Sequence, residues 1–216
     1  MARGREGDDG PVTTGVATEH ERDLLRDLLC EYIEQPDRRA EIAAAIERRF
    51  RRCLAILAID SSGFSRTVRT AGIVHFLALL ERLGRVVRPL IERGDGRLLH
   101  TEADNIFAAF PTVAAAVSCA DAILRDLDAA NARLPEAEQI YVAMGIGYGN
   151  VLVVDTNNLH GDEMNLACKL GEDLAGRGEV LLTVGAHDTL EPSSWRFEQV
   201  RFNISGLDLP AYRLLR

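Results

Sequence analysis

The feature that most restricts the fold is Cys53–Ile59, CLAILAI, an unbroken apolar run that stops abruptly at Asp60-Ser61-Ser62-Gly63-Phe64-Ser65. A run of strand length with no polar alternation reads as a strand buried on both faces, so the sheet that contains it needs a cover on each side. It is far short of the roughly 20 apolar residues that cross a bilayer. No other stretch approaches that length, so the sequence reads as soluble with no membrane contact. Cys30, Cys53, Cys119 and Cys168 are scattered and form no CxxC pair. With no secretory signal, this points to reduced thiols in the cytoplasm.

A chain of 216 residues, 47% of them hydrophobic, has material for one full-sized domain and a modest extension. Its net charge of −8 argues against a nucleic-acid-coating protein, whose affinity comes from clustered Lys and Arg. Three segments are expected: a disordered tail over 1–17, a helical extension over 18–50, and the main domain over 51–216. In the extension, Thr18 with Glu21 fits a capping box, Leu24, Leu25, Leu28, Leu29, Tyr32 and Ile33 recur at helical spacing, and Pro36 separates a second helix ending near Phe50. After the apolar strand, a long helix is expected from about Arg66 to Arg93, ended by Gly94-Asp95-Gly96. A hairpin should follow, Arg97–Leu99 and Asn105–Phe110, with His100–Asp104 in its turn. An Ala-rich helix then covers Thr112–Ala130. A second hairpin is expected around Gly149-Asn150, then a loop to Asp162, a helix over Glu163–Ala175, a strand at Val180–Val184, a short helix near Ala186, and a final strand pair. This order implies the α+β class, a mixed or antiparallel sheet flanked by helices.

Three groups of residues carry chemistry. Asp60 directly follows the buried strand and opens onto a Ser/Gly-rich turn at a helix start, where backbone amides and the helix dipole favour a polyphosphate. Asp104 lies in a tight turn between hairpin strands. Asp alone at either place is also an ordinary capping or turn residue. Together, on adjacent strands, two carboxylates match what magnesium takes from a protein, leaving its other positions to water and phosphate. Asn165 and Lys169 are four apart and share a helix face, a neutral donor beside a cation, which suits charge building on an α-phosphate. Lys169 is also the only lysine in the chain.

These blocks resemble the class III adenylate and guanylate cyclases. LAIDSSGFS (57–65) is similar to their first-strand signature, RLLHTEADNIFAAF (97–110) to the block in which Lys precedes Thr-x-Gly-Asp, and HGDEMNLACKL (160–170) to their Gly-x-x-x-Asn-x-Ala-x-Arg helix. The match covers roughly 53–215. The resemblance implies a class III cyclase-type fold and a homodimer whose active sites are shared between protomers. It implies two Mg²⁺ or Mn²⁺ ions per site on Asp60 and Asp104, with Asn165 and Lys169 arriving from the other protomer, Lys169 standing where the family has Arg. Ser61, Ser62, Gly63, Phe64 and Ser65 would line the triphosphate.

The base-reading positions depart from the family. His100 stands where adenylate cyclases place Lys, and Asn158 where they place Asp; Ala103 replaces Gly before the second Asp, and Ser205 replaces a phosphate-binding Lys. His100, Asn158 and Arg97 form a donor-rich set suited to the carbonyl-flanked edge of uracil, and Phe50 ahead of the first strand would shorten a pocket against purines. The combination resembles the pyrimidine cyclases of bacterial antiphage (Pycsar) systems. That implies UTP converted to cyclic UMP and pyrophosphate, read by a separate cyclic-nucleotide-responsive effector. A cytidylate cyclase, a divergent purine cyclase and a non-catalytic nucleotide-binding module are the alternatives left open.

Overall fold

The computed structural model describes residues 19–61, 72–154, 159–191, 195–204 and 207–216. Helix α1 (Glu19–Glu34), a 3-10 turn at Pro36–Arg38 and helix α2 (Arg39–Phe50) lead into strand β1 (Arg51–Ser61). Then come α3 (Ile73–Arg93), β2 (Arg97–Glu102), β3 (Asn105–Phe110), α4 (Val113–Asn131), β4 (Val142–Val153) and the two-residue β5 (Leu159–His160). Helix α5 (Asp162–Cys168) runs on as a π-helical turn, Lys169–Leu174; β6 (Val180–Thr183), α6 (Val184–His187), β7 (Arg196–Ile204) and β8 (Leu207–Leu215) complete the chain.

The apolar run sits where its composition requires, in the middle of the sheet. The strand order is β2-β3-β1-β4-β6-β8-β7, with β5 on β4; β4 and β6 are parallel and the other pairs antiparallel, a mixed sheet as expected. One face of β1, Ala55, Leu57 and Ile59, meets α3 (Leu79, Leu83, Val87, Ile91) and α4 (Val117, Ala120, Ile123, Leu124). The other, Leu54, Ile56 and Ala58, packs with Phe107, Ala109 and with Met164 and Ala167 of α5. Each fully buried Leu, Ile or Phe in these layers contributes about 1.5–3 kcal/mol.

Sequence and structure differ at five places. The hairpin expected around Gly149-Asn150 does not exist. Strand β4 continues through it, paired to β1 from Ser61↔Val142 to Arg51↔Leu152. The glycines there serve a close approach instead of a turn. Gly145, Gly147 and Gly149 lie opposite Ala58, Ile56 and Leu54 on one face, and a Cβ at Gly145 would fall inside contact distance of the Ala167 carbonyl oxygen and 2.6 Å from Gly171 N. One at Gly149 would stand 2.7 Å from Glu163 Cγ. Removing those side chains lets α5 settle directly on the strand. Second, α5 is α-helical only to Cys168, then widens to a π turn with Gly171 against Ala58 O (3.0 Å from its Cβ position). Third, β2 extends to Glu102, so His100 is a strand residue, and Ala103 and Asp104 alone make the turn. Fourth, Leu159–His160 pairs with β4 where a loop was expected. Fifth, Phe50 is buried on α2 with Leu25, Ile42 and Ile46, against Leu152 and Val154. It braces the two helices on β4 and lies ten residues before Asp60, about 30 Å away along the strand, so within the protomer it lines no pocket at Asp60. Thr18, Ser62, Gly63, Phe64, Ser65, Asn158, Ser205 and the start of the long helix before Gly72 lie outside the described residues.

Candidate active site

The site is built by register. In the β1–β3 ladder Asp60 pairs with Asn105. Directly opposed residues share a face with Cα atoms about 4.5–5.5 Å apart. That face is the one holding Ile56, Ala58, Phe107 and Ala109. Asp104, the residue before Asn105, ends the two-residue turn beside Asp60. Ala103 ahead of it takes a left-handed φ of 50°, which explains the resemblance to a family with Gly there: the turn needs that conformation whichever residue fills it. Ser61, the last residue of β1, is half-buried next to Asp60.

The two carboxylates repel each other. Burial, then Asp104 and Glu172, pushes the Asp60 carboxyl up to about 6. Glu172 is raised as well, by burial and then by Asp173, Asp104 and Glu102. An accumulation of negative charge next to a closed apolar layer favours a bound cation, and the donors offered are all oxygen, the set preferred by hard ions such as Mg²⁺ and Mn²⁺. The buried Asn105 Oδ1, which has no hydrogen-bond partner among the described residues, adds a further open acceptor at the same spot. Among the described residues no group of three or more His, Cys, Asp and Glu converges on one point; Asp60 and Asp104 are the two carboxylates that the β1–β3 register sets side by side.

Arg97 and His100 join this face. Arg97 pairs with Ala109 and His100 with Phe107, whose ring it stacks on at 4.5 Å between centroids. Asn165 and Lys169 come over the same layer on α5 and its π turn. Asn165 is exposed, and the Lys169 amide donates to the Asn165 carbonyl, so the two remain one turn apart on the outer side. Lys169 Nζ pairs with Asp173 at 3.3 Å. The helix that carries them is locked at its start by Glu163, whose Oε2 accepts from Tyr148 N (3.1 Å) and Thr183 Oγ1 (2.9 Å), tying α5 to β4 and β6.

Of the residues expected from sequence, Asp60, Asp104, Arg97, His100, Asn165 and Lys169 are thus gathered on or above one sheet face, whereas Ser61 alternates to the other face, with Ile59 and opposite Val142. Phe50 is not, and Ser62–Ser65 and Asn158 are outside the described residues. Sequence reasoning missed Asn105, Glu163 and Glu172. Adjacency to Asp104 was a usable signal for the first; nothing in the pattern marked the other two.

No protein-family model matches the chain. A Rhizobium meliloti (strain 1021) protein described as "Putative adenylate cyclase 3" is 36% identical over 139 residues, 64% of this chain but 23% of that protein. The chain therefore spans under a quarter of the length of that relative. The crystal structure of an adenylate/guanylate cyclase/hydrolase from Silicibacter pomeroyi superposes with a TM-score of 0.64 at 25% identity, covering 77% of this chain and 98% of the other. The adenylyl cyclase CyaB from P. aeruginosa gives 0.67 at 18% identity, covering 77% and 95%, a likeness of fold. Among the described residues, no helix is long and apolar enough to cross a membrane. The chain has the fold of the class III adenylate and guanylate cyclases, and over 139 residues its sequence is similar to a protein described as a putative adenylate cyclase.

Proposed function

We propose that the chain is a metal-dependent nucleotide cyclase that closes UTP to cyclic UMP and pyrophosphate, working as a homodimer with two shared sites. The observation that carries the reading is the register that sets Asp60 beside Asp104 on the sheet face over which Asn165 and Lys169 are presented. Residues 51–216 would form the catalytic unit and 18–50 a helical extension to it. Asp60 and Asp104 would hold Mg²⁺ or Mn²⁺. A cation pair there supplies two things when bound, a lowered pKa for the ribose 3′-hydroxyl and neutralisation of the departing pyrophosphate. Asn165 of the partner subunit would orient the ribose, and Lys169 of the partner subunit would place its charge against the α-phosphate, leaving Asp173 to do so. The Lys169–Asp173 pair is largely exposed and therefore cheap to break, at about 0–1 kcal/mol.

For the base, Arg97 supplies fixed donors and His100 one donor and one acceptor, held in place by Phe107. This set favours uracil over adenine. Cyclic UMP as a signal to a separate effector in antiphage defence, in the cytoplasm, follows from the resemblance to pyrimidine cyclases. A purine cyclase is the second reading, favoured by the likeness to the Rhizobium meliloti protein. The deciding experiment incubates the protein with Mn²⁺ and each of ATP, GTP, CTP and UTP and resolves the products by mass. Cyclic UMP, lost in Asp60→Ala and regained by mixing Asp60→Ala with Asn165→Ala protomers, is the expected outcome. Cyclic AMP or cyclic GMP would overturn the base assignment, and no cyclic product at all would overturn the cyclase reading.

A further inference from the structure

The proposed reaction assigns no function to the carboxamide of Asn105. It is the first residue of β3, stands across the ladder from Asp60 and follows Asp104 directly. Its Oδ1 is buried and accepts no hydrogen bond from any described residue. The functional groups beside it are ionisable carboxyls, which when charged accept only. The next residue inward on that face is Phe107, with nothing to donate. A buried acceptor left unmade costs about 1–3 kcal/mol. Here it lies among other acceptors, so a positive partner is what the spot lacks.

We infer that Asn105 is a third, neutral oxygen donor to the cation held by Asp60 and Asp104, reached directly or through one of the ion's waters. This rests on the reading that the carboxylate pair binds a cation. Carboxamide oxygens serve hard divalent ions alongside carboxylates. A neutral donor adds a ligand without a further negative charge where a triphosphate has to approach. It also explains why a polar residue begins β3 on a face that is otherwise apolar from Phe107 onward.

The test is Mn²⁺ binding to the metal-stripped, nucleotide-free full chain, by calorimetry and by the electron paramagnetic resonance signal of free Mn²⁺, together with the metal-free melting temperature. Asn105→Ala should weaken Mn²⁺ binding about 10-fold, while the metal-free melting temperature holds or rises because an unmet acceptor has gone. Asn105→Asp, of the same shape, should bind Mn²⁺ at least as tightly as the wild type. Unchanged Mn²⁺ affinity in Asn105→Ala, or weaker binding in Asn105→Asp, overturns the inference. Asp60→Ala separates the two levels. If it abolishes Mn²⁺ binding while Asn105→Ala does not alter it, only the role of Asn105 falls. If Asp60→Ala also leaves Mn²⁺ binding unchanged, the cation reading falls with it.

Discussion

Replacing Gly145 by Ala should disable the proposed half-site on α5 while sparing the proposed half-site of Asp60 and Asp104. The new methyl would stand 2.6 Å from Gly171 N and 3.0 Å from Leu170 Cβ, and closer still to the Ala167 carbonyl oxygen. Ordinary contact is about 3.5 Å, so the π turn and the end of α5 have to retreat by about 1 Å. The obstructing atoms are mostly backbone, which no rotamer change relieves. Overpacking of this kind costs about 1–3 kcal/mol, equivalent to a fall of about 2–12 °C in melting temperature for a domain of this size. A 1 Å misplacement of catalytic groups costs about 100-fold in rate. Asn165 and Lys169 ride on the displaced segment, whereas Asp60 and Asp104 do not. If the proposed shared-site cyclase dimer is correct, mixing Gly145→Ala with Asp60→Ala protomers should therefore restore activity, since one site then combines intact carboxylates with an intact helix. Mixing Gly145→Ala with Asn165→Ala should restore nothing. The assay is cyclic-nucleotide formation in each mixture, beside the melting temperature of each variant. A Gly145→Ala enzyme with lowered stability but wild-type turnover, or one rescued by Asn165→Ala, would refute the reasoning.

Two further outcomes follow from local geometry. Ala103→Gly should stabilise the protein by up to about 1 kcal/mol, because Ala103 sits at a φ of 50° where a Cβ is penalised; a melting temperature that falls would show the turn is not strained. Native protein at pH 8 should offer two fast-reacting thiols to an aromatic disulfide reagent, Cys30 and Cys53, which are exposed. Burial pushes the Cys119 thiol up to about 12, and burial with the nearby Glu172 pushes the half-buried Cys168 thiol up to about 11, so Cys119 should react only on unfolding and Cys168 slowly; a fast-reacting Cys119 would refute its burial.

The parts of this fold that were legible in the sequence are those in which one physical requirement dominates. An unbroken apolar run has few places to go but the centre of a covered sheet, and β1 is there. Gly94-Asp95-Gly96 ends α3 as expected, with Gly96 N donating to Ile91 O at 2.9 Å. That Asp60 and Asp104 would be neighbours was legible because one stands at the end of the apolar run in β1 and the other immediately precedes β3, and the β1–β3 register brings the two positions together. Gly149-Asn150 misled because glycine answers two different needs, a turn or a close approach, and local pattern does not separate them; only the helix on the far side of the strand decides. The π turn at Lys169 was invisible for a similar reason, since it is imposed by Gly171 meeting β1 and β4. Phe50 was placed at the pocket for its size and its position just ahead of the first strand, but its side chain packs in the apolar cluster of the extension helices.

The glycine floor beneath α5 also has a mechanical meaning. Where helix and sheet are separated by a layer of side chains, rotamer changes let one slide over the other. Along Gly145, Gly147 and Gly149 there is no such layer, and the Glu163 carboxylate rivets the helix start to two strands. Strand and helix therefore behave as one stiff plate. In the proposed dimer the carboxylates of one plate and the Asn165/Lys169 pair of the other approach or separate only as the plates themselves turn, so the rate is governed at the seam between copies.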